Sequence, residues 1–157
     1  MVALLRRIHS AKVKVDTTGR SARTIATLHS FRFFGLVFLL PGIVGPNLPA
    51  GFATFSAYGD LATGLLAMLA LLTVRVRPLF WLFVVAFNFV GAADIILDYY
   101  HAIQVGLPAQ AGQLASTYVI PVIYVPLLII THFVAFYWLA RPQSKAAPAL
   151  TGTAIAA

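Results

Sequence analysis

The sequence predicts an all-α protein that spans a membrane as a bundle of four transmembrane helices, with both termini in the cytoplasm. Three observations support this fold class: the composition, four separate apolar stretches and a one-sided distribution of positive charge. The chain has 157 residues, of which 61% are hydrophobic and 10% are charged, with a mean hydropathy of +0.91. A soluble domain is about half apolar and about a quarter charged. The composition therefore indicates a protein embedded in lipid.

Four apolar stretches are candidates for crossing the bilayer, whose hydrocarbon core needs roughly 20 residues of helix. The first is short and needs neighbouring residues, such as the preceding TIATLHSF, to reach across. Connectors rich in proline, glycine or polar residues separate the stretches, which is typical of turns and loops. In chain order, the stretches cover about 33–44, 61–74, 79–103 and 117–140.

The basic residues are predicted to lie on one side of the membrane. With four spans, that side receives the N-terminal segment, the loop at 75–78 and the C-terminal tail, and the other side receives no basic residue. The positive-inside rule then places both termini in the cytoplasm, where we expect anionic lipid headgroups as partners and no nucleic acid. The residues assigned to that side are Arg6, Arg7, Lys12, Lys14, Arg20, Arg23, Arg32, Arg75, Arg77, Arg141 and Lys145.

This topology divides the chain into three parts. They are a basic cytoplasmic N-terminal segment at 1–30, a four-helix transmembrane domain at 31–140 and a short cytoplasmic tail at 141–157. The N-terminal segment is too long for a typical signal-peptide n-region, and no A-x-A site follows it, so we expect the first helix to remain uncleaved. The absence of cysteine excludes disulfides, thiolate chemistry and cysteine-based metal sites.

The third apolar stretch carries a polar stripe. Asp94 and Asp98 are four residues apart, and Asp98 and His101 are three apart, so the three side chains share one helical face. Gly91 lies on the same face, one turn deeper. At 1.5 Å per residue, Asp94 falls about 14 Å from the end at Ile103, near the middle of the bilayer. Ionisable residues at that depth are rare and usually functional.

Other polar residues are predicted at matching depths on neighbouring helices. Asp60 opens the second helix at its outer end, and would add a further carboxylate. On the antiparallel fourth helix, Tyr118 falls near the depth of Asp98, and Tyr124 near that of Asp94. The candidates for binding a ligand are therefore Asp60, Asp94, Asp98, His101, Tyr118 and Tyr124.

A separate polar pair is predicted in the cytoplasmic half of the bundle. Asn88 lies about 120° from Asp94 around the third helix and therefore faces a different neighbour. His132 falls near the same depth on the fourth helix. We expect Asn88 and His132 to meet as a structural pair, because polar contacts between helices commonly hold membrane bundles together.

Three interpretations of the polar stripe stay open. Two carboxylates in a poor dielectric, beside an imidazole, would suit acid–base catalysis on a lipophilic substrate. The same face would suit a proton or a cation, and Asp94, Asp98 and His101 are weak candidates for a metal site, with a spacing that recurs in helical metal proteins. The third interpretation is structural, with Asp94 bonded to Tyr124 and Asp98 to Tyr118. Whether the protein is an enzyme is left open.

Motifs for nucleotides and cofactors are absent. The chain has no Walker A loop, no G-x-G-x-x-G after a strand, no nucleophile elbow and no H-E-x-x-H. A haem held between helices needs two facing histidines at one depth, and His101 and His132 are predicted at opposite depths. We therefore expect no cofactor.

Two stretches resemble a set of small, uncharacterised four-helix integral inner-membrane proteins of Gram-negative bacteria. FNFVGAAD at 87–94 is similar to their F-N-x-x-G-x-x-D third helix, and YVIPVIYVPLLIITH at 118–132 is similar to their P-L-L-x-x-T-H fourth helix. The resemblance covers roughly the last two helices. It implies a multi-pass protein of the bacterial inner membrane and implies no activity.

The functional prediction is a small integral membrane protein with a polar pocket in the outer half of the bundle. That pocket would bind a lipophilic small molecule, or a cation or proton. The alternative is an accessory or structural subunit of a larger complex, with another membrane protein as its partner. A membrane-embedded acid–base enzyme is the third interpretation.

Overall fold

The computed structural model describes residues 18–141, which are almost entirely helical and contain no β-strand. The first helix continues without a turn into a 3₁₀ segment, and a second 3₁₀ segment leads through one π-helical turn into the last helix. In chain order the elements are α1 (18–30), the first 3₁₀ segment (Phe31–Leu39), α2 (Ala50–Leu72), α3 (Arg77–Gln104), the second 3₁₀ segment (Leu107–Tyr118), the π turn (Ile120–Tyr124) and α4 (Val125–Ala140).

Three helical stretches are long and apolar enough to cross a membrane: Ala50–Leu72, Arg77–Gln104 and the continuous stretch Ile120–Ala140. The prediction of a helical chain with long apolar helices is confirmed. One boundary differs from expectation, because α2 begins at Ala50, ten residues before Asp60. Asp60 therefore lies in the interior of α2, and the prediction that it opens the helix is wrong. The residues before Asp60 include no proline after Pro49, so nothing delays the start of the helix.

Local sequence signals set the helix ends. Pro78 occupies the first turn of α3, where its missing N–H costs no hydrogen bond. Gly106, with φ +62°, follows the end of α3 in the left-handed conformation that commonly terminates helices. Pro121 lies within the π turn, and Pro126 follows it in the first turn of α4. A wider turn accommodates the carbonyls that a proline ring would otherwise strike.

Two apolar clusters lie at opposite ends of the bundle. We call one end of the bundle the arginine end, and define it by Arg20, Arg23, Arg75, Arg77 and Arg141. The apolar cluster at this end includes Ala67, Phe80 and Phe87 and is flanked by Trp81 and Trp138. The cluster at the other end, which we call the loop end, consists of Phe38, Leu48, Phe52, Ala53, Leu107 and Leu114. The loop end contains the connection at 40–49 and the second 3₁₀ segment.

The two connections at the loop end are tied to one another. The Gly45 N–H donates to the Gln113 carbonyl at 2.7 Å, and the Asn47 N–H donates to Gln113 Oε1 at 3.1 Å. Because two residues of the connection at 40–49 hydrogen-bond to Gln113 of the second 3₁₀ segment, the loop end is closed by an ordered cap rather than by independent loops.

The chain from residue 18 onward belongs to the bundle. Ala26 and His29 are fully buried, and Ala22 and Ile25 join the cluster at the arginine end. The predicted division at residue 30 therefore does not coincide with a break in the packing. The spacing of the four buried positions, i, i+3, i+4 and i+7, is that of an amphipathic helix, and it was masked by the surrounding basic residues. Residues 1–17 and the tail from 142 onward lie outside the described residues.

Candidate functional site

A buried arginine stands at the centre of the bundle. Arg32, in the first 3₁₀ segment, has 1% of its surface exposed. Its Nε donates to Asp60 Oδ1 at 2.6 Å, its Nη1 donates to the Gly91 carbonyl at 3.1 Å, and its Nη2 donates to Asp94 Oδ2. We call Arg32, Asp60 and Asp94 the ion cluster. It joins the first 3₁₀ segment to both α2 and α3.

The ion cluster corrects two expectations from the sequence. Arg32 was assigned to the cytoplasmic side with the other basic residues, and Asp94 was expected to hydrogen-bond to Tyr124. Instead Arg32 lies between the two carboxylates, and Tyr124 donates its hydroxyl to the Leu28 carbonyl at 3.0 Å. The physical reason is that buried carboxylates are costly unless they are paired and hydrogen-bonded, and a guanidinium offers five donors in a rigid fork.

Three glycines make room for the ion cluster. A Cβ on Gly35 would overlap the Asp60 carboxyl, and a Cβ on Gly59 would overlap the carboxyl of Asp94. A Cβ on Gly91 would lie 2.8 Å from Arg32 Nη1, which is closer than such atoms approach. One glycine comes from each of the three elements that the cluster joins. Of the three, only Gly91 was recognisable from the sequence, because a glycine's role depends on what faces it.

The outer part of the polar stripe has different partners from those expected. Asp98 accepts a hydrogen bond from Ser56 on α2, with 2.7 Å between Oγ and Oδ1, whereas its expected partner Tyr118 is 48% exposed. The His101 ring packs against Phe55, with 4.4 Å between the ring centroids. Ser56 was missed because its helix was predicted to begin later.

The structure does not assemble a metal site from the residues that were weak candidates for one. Asp94 is paired with Arg32, Asp98 with Ser56, and the His101 ring lies against Phe55. Throughout residues 18–141, no group of three or more histidine, aspartate or glutamate side chains is arranged to hold a metal ion. The helical spacing alone was therefore insufficient, because partners on other elements turn the side chains apart.

A cleft opens beside the polar stripe at the loop end. It contains about 410 Å³ of empty space, counted to its open mouth. Ser56, Asp60 and Asp98 provide its polar side, and the rest of the lining is apolar or aromatic. The other lining residues are Phe38, Phe52, Tyr99, Ala102, Leu107, Ile120, Pro121 and Val125. Asp60 thus takes part in both the ion cluster and the cleft.

Two histidines lie on the other side of the ion cluster. His132 Nδ1 and Asn88 Oδ1 are 3.0 Å apart, so the structure brings together the two residues expected to meet. His29, which was not singled out, lies with its ring centroid 4.2 Å from that of His132 and its Nε2 2.9 Å from Thr131 Oγ1. Two histidines thus share one depth, and His29, the second of them, was not considered as a partner of His132 from the sequence. Their rings are in direct contact, and a haem plane does not fit between them.

Comparison with known proteins gives one match. No curated protein and no solved structure matches the chain. A family model described as a domain of unknown function, DUF8737, matches residues 1–140. That match includes α1 through α4, and with them the ion cluster and the cleft. The chain therefore belongs to the DUF8737 family.

Proposed function

We propose that α1 and the first 3₁₀ segment form a fourth membrane crossing beside the three long apolar helices. At 1.5 Å per residue of α-helix and 2.0 Å per residue of 3₁₀ helix, residues 18–39 extend roughly 38 Å, which exceeds the thickness of about 30 Å of the hydrocarbon core. The packing supports a full crossing, because Ile25 belongs to the cluster at the arginine end and Phe38 to the cluster at the loop end.

Four crossings place both described ends of the chain at the arginine end. Five of the six arginines in the described range lie there, and the sixth is Arg32 in the ion cluster. By the positive-inside rule the arginine end faces the cytoplasm, so the cleft opens in the outer half of the bundle. The resemblance of the last two helices to bacterial proteins makes the inner membrane of a bacterium the proposed location.

We further propose that the protein binds a lipophilic small molecule in the cleft. The single observation that carries this function is the lining of the cleft: a wall of apolar and aromatic side chains with a few polar groups concentrated on one side. Binding sites for small molecules are typically concave and mostly apolar, with a small number of placed polar groups that orient the ligand. A ligand from the bilayer would bury its apolar part here and direct its polar group toward Asp98.

The geometry favours binding over acid–base catalysis. Catalysis by a carboxyl pair requires the two groups to share a substrate or a proton. Here Asp94 is engaged by Arg32, and Asp98 by Ser56. Asp98 alone among the α3 carboxyls lines the cleft. A purely structural role, in which the protein serves as a subunit of a larger complex, is the second candidate, because the ion cluster holds three elements together.

The test introduces a large side chain into the cleft and leaves its two acidic residues, Asp60 and Asp98, unchanged. Ala102 lines the cleft, whereas Ala93 on the same helix is exposed on the outside of the bundle. Native mass spectrometry of protein extracted from membranes in mild detergent would detect a bound lipophilic molecule. We expect Ala102→Phe to lose that molecule and Ala93→Phe to retain it. Equal occupancy in both variants, or none in the wild type, would leave the structural role as the better account.

A further inference from the structure

The carboxyls in the interior of the bundle outnumber the arginines that lie among them. Asp60, Asp94 and Asp98 are the three acidic residues in the described range, and one guanidinium, that of Arg32, lies among them. If all three carboxyls were ionised, two negative charges would have no positive partner on the protein. Such an excess is costly in a bilayer interior. The arrangement therefore calls for a proton or a bound cation.

A second observation points to where the proton is held. Asp94 is 5% exposed, and its Oδ1 lies against Gly59 with no hydrogen-bond partner. Buried carboxylate oxygens are normally hydrogen-bonded. Only the other oxygen of Asp94 meets Arg32. The unpartnered oxygen is thus a place where a proton would remove an otherwise uncompensated charge.

The remaining titratable groups that surround the cluster do not supply the missing positive charge. His29 from α1 and His132 from α4 are bonded to Thr131 and Asn88 rather than to a carboxylate. Their rings are 4.2 Å apart, so two positive charges there would repel one another.

Tyr99 lines the cleft, and two other titratable groups lie on the same side of the bundle. The Tyr124 hydroxyl of the π turn donates to a backbone carbonyl, and the His101 ring of α3 packs between the rings of Phe55 and Tyr100. Neither group hydrogen-bonds to a carboxylate of the ion cluster. The carboxyls themselves are therefore the groups that can exchange a proton.

We propose that the ligand of the cleft is a lipophilic monocation and that its binding releases one proton from the carboxyls. This inference rests on the proposed function, since it concerns the same cleft. As the cation arrives, the charge of Asp98 offsets its charge, the O–H bond of the Asp94 carboxyl breaks, and the proton passes to water. Before the exchange, Arg32, two ionised carboxyls and one protonated carboxyl give the site one net negative charge. Afterwards, Arg32, three ionised carboxyls and the bound cation again give one net negative charge, and the released proton is in water.

The lining of the cleft suits an organic cation without hydrogen-bond donors. Phe38, Phe52 and Tyr99 contribute aromatic rings, whose faces attract a cation that has lost its water. A quaternary ammonium or phosphonium ion carries its charge on an apolar surface and so matches both the rings and the carboxylates. A hydrated metal ion would need several oxygen ligands that the apolar wall does not provide.

The experiment compares two probes of nearly identical shape. Benzyltrimethylammonium is a permanent cation, and neopentylbenzene is its neutral counterpart, with carbon in place of nitrogen. Isothermal titration calorimetry of the protein in nanodiscs, with empty nanodiscs as the blank, gives the affinity of each. Repeating the titration in two buffers that differ in ionisation enthalpy gives the number of protons released. We expect about one proton released per cation bound and none for the neutral probe.

The affinity of the cleft for the cation should increase as the pH rises. Raising the pH removes the competing proton, so the dissociation constant of the cation should fall about tenfold per pH unit while the proton is still bound. Asp94→Asn imitates the protonated carboxyl and should abolish both this slope and the proton release. Asp98→Asn should reduce the preference for the cation over the neutral probe by about tenfold or more.

The outcomes separate this inference from the proposed function. If both probes bind equally well and neither releases a proton, the cleft is a site for lipophilic molecules and the exchange is refuted. If the cation binds with no proton release at any pH, the exchange is again refuted. If neither probe binds to the wild type, the cleft itself fails as a binding site for molecules of this size, and both proposals fail together.

Discussion

Alanine substitution of two glycines on the same helix should have effects of opposite sign. Gly59 and Gly51 both lie in α2, and alanine favours a helix over glycine by about 1 kcal/mol in its interior. A Cβ on Gly51 would meet no atom within 4 Å. We therefore expect Gly51→Ala to leave the free energy of unfolding unchanged or to raise it by as much as about 1 kcal/mol.

At Gly59 the same methyl group meets the Asp94 carboxyl. The carboxyl has to move, and its pairing with Arg32 is lost or distorted. Losing this acceptor leaves a charged donor of the buried Arg32 unsatisfied, whether or not Asp94 carries its proton, and this costs about 3–5 kcal/mol. After subtracting the gain in helix propensity of about 1 kcal/mol, Gly59→Ala should lower the free energy of unfolding by about 2–4 kcal/mol.

The assay is reversible unfolding in mixed micelles, with a denaturing detergent as titrant and far-ultraviolet circular dichroism as the signal. Gly51→Ala serves as the matched control, since it adds the same methyl group to the same helix. Equal stability of the two variants would refute the placement of Asp94 against Gly59. If Asp94→Ala in the Gly59→Ala background restores no stability, the carboxyl is not the group that the methyl displaces.

Three further predictions concern Arg32, the polar pair and the topology. Arg32→Gln should lower the free energy of unfolding by about 3–5 kcal/mol in the same detergent titration. As the control, Arg23→Gln at an exposed position should change it by about 0.5 kcal/mol or less. Comparable effects of the two substitutions would contradict the buried ion cluster. Asn88→Ala and His132→Ala should be non-additive in a double-mutant cycle, with a coupling of about 0.5–1.7 kcal/mol, and strict additivity would remove the contact as an energetic link. A reporter that is active only in the periplasm should give signal when inserted within 104–116 and none when fused to the C-terminus; signal from the C-terminal fusion would overturn the four-crossing proposal.

The geometry of the α-helix was sufficient to predict which side chains share a face of one helix, and which side chains lie at the same depth on antiparallel neighbours. Asp94 and Asp98 share a face because of their spacing, and counting residues from the helix ends brought Asn88 and His132 to the same depth, where they lie 3.0 Å apart. Both inferences depend only on the rise per residue and on antiparallel neighbours. They required no knowledge of which side chains fill the core.

Arg32 was not predicted as the partner of Asp60 and Asp94, because a count of the basic residues on each side of the membrane treats all of them alike. The positive-inside rule concerns arginines in loops, and it cannot distinguish these from one whose charge is neutralised by buried carboxylates. A signal did exist. Arg32 stands within the run FRFFGLVFLL, with Phe31 and Phe33 beside it. An arginine in an apolar run, in a chain with unpaired intramembrane acids, is a candidate for pairing with them.

The roles of the glycines depend on contacts between distant parts of the chain. Gly35, Gly59 and Gly91 come from three elements, and each is explained by a side chain on another element. No pattern within a single helix reports such a contact. The start of α2 was also unpredictable from hydropathy, because GFATFSAYG mixes small, aromatic and polar residues and resembles neither a loop nor a span.

The position of Asp60 would link stability to the ligand binding that we propose for the cleft. Its Oδ1 holds Arg32, and the same residue lines the cleft, so a positive charge in the cleft would compete with the guanidinium for one carboxyl. An arrangement that satisfied every carboxylate with its own arginine would be more stable and would have no free charge to offer a ligand. With three carboxyls around one guanidinium, part of the electrostatic attraction stays available to whatever cation or proton arrives. Any occupant of the cleft that binds only the folded state would then raise the stability of the bundle with the logarithm of its concentration, once that concentration exceeds the dissociation constant. The excess of carboxylates, which weakens the empty bundle, is the property that would give the cleft the preference for positive charge that we propose.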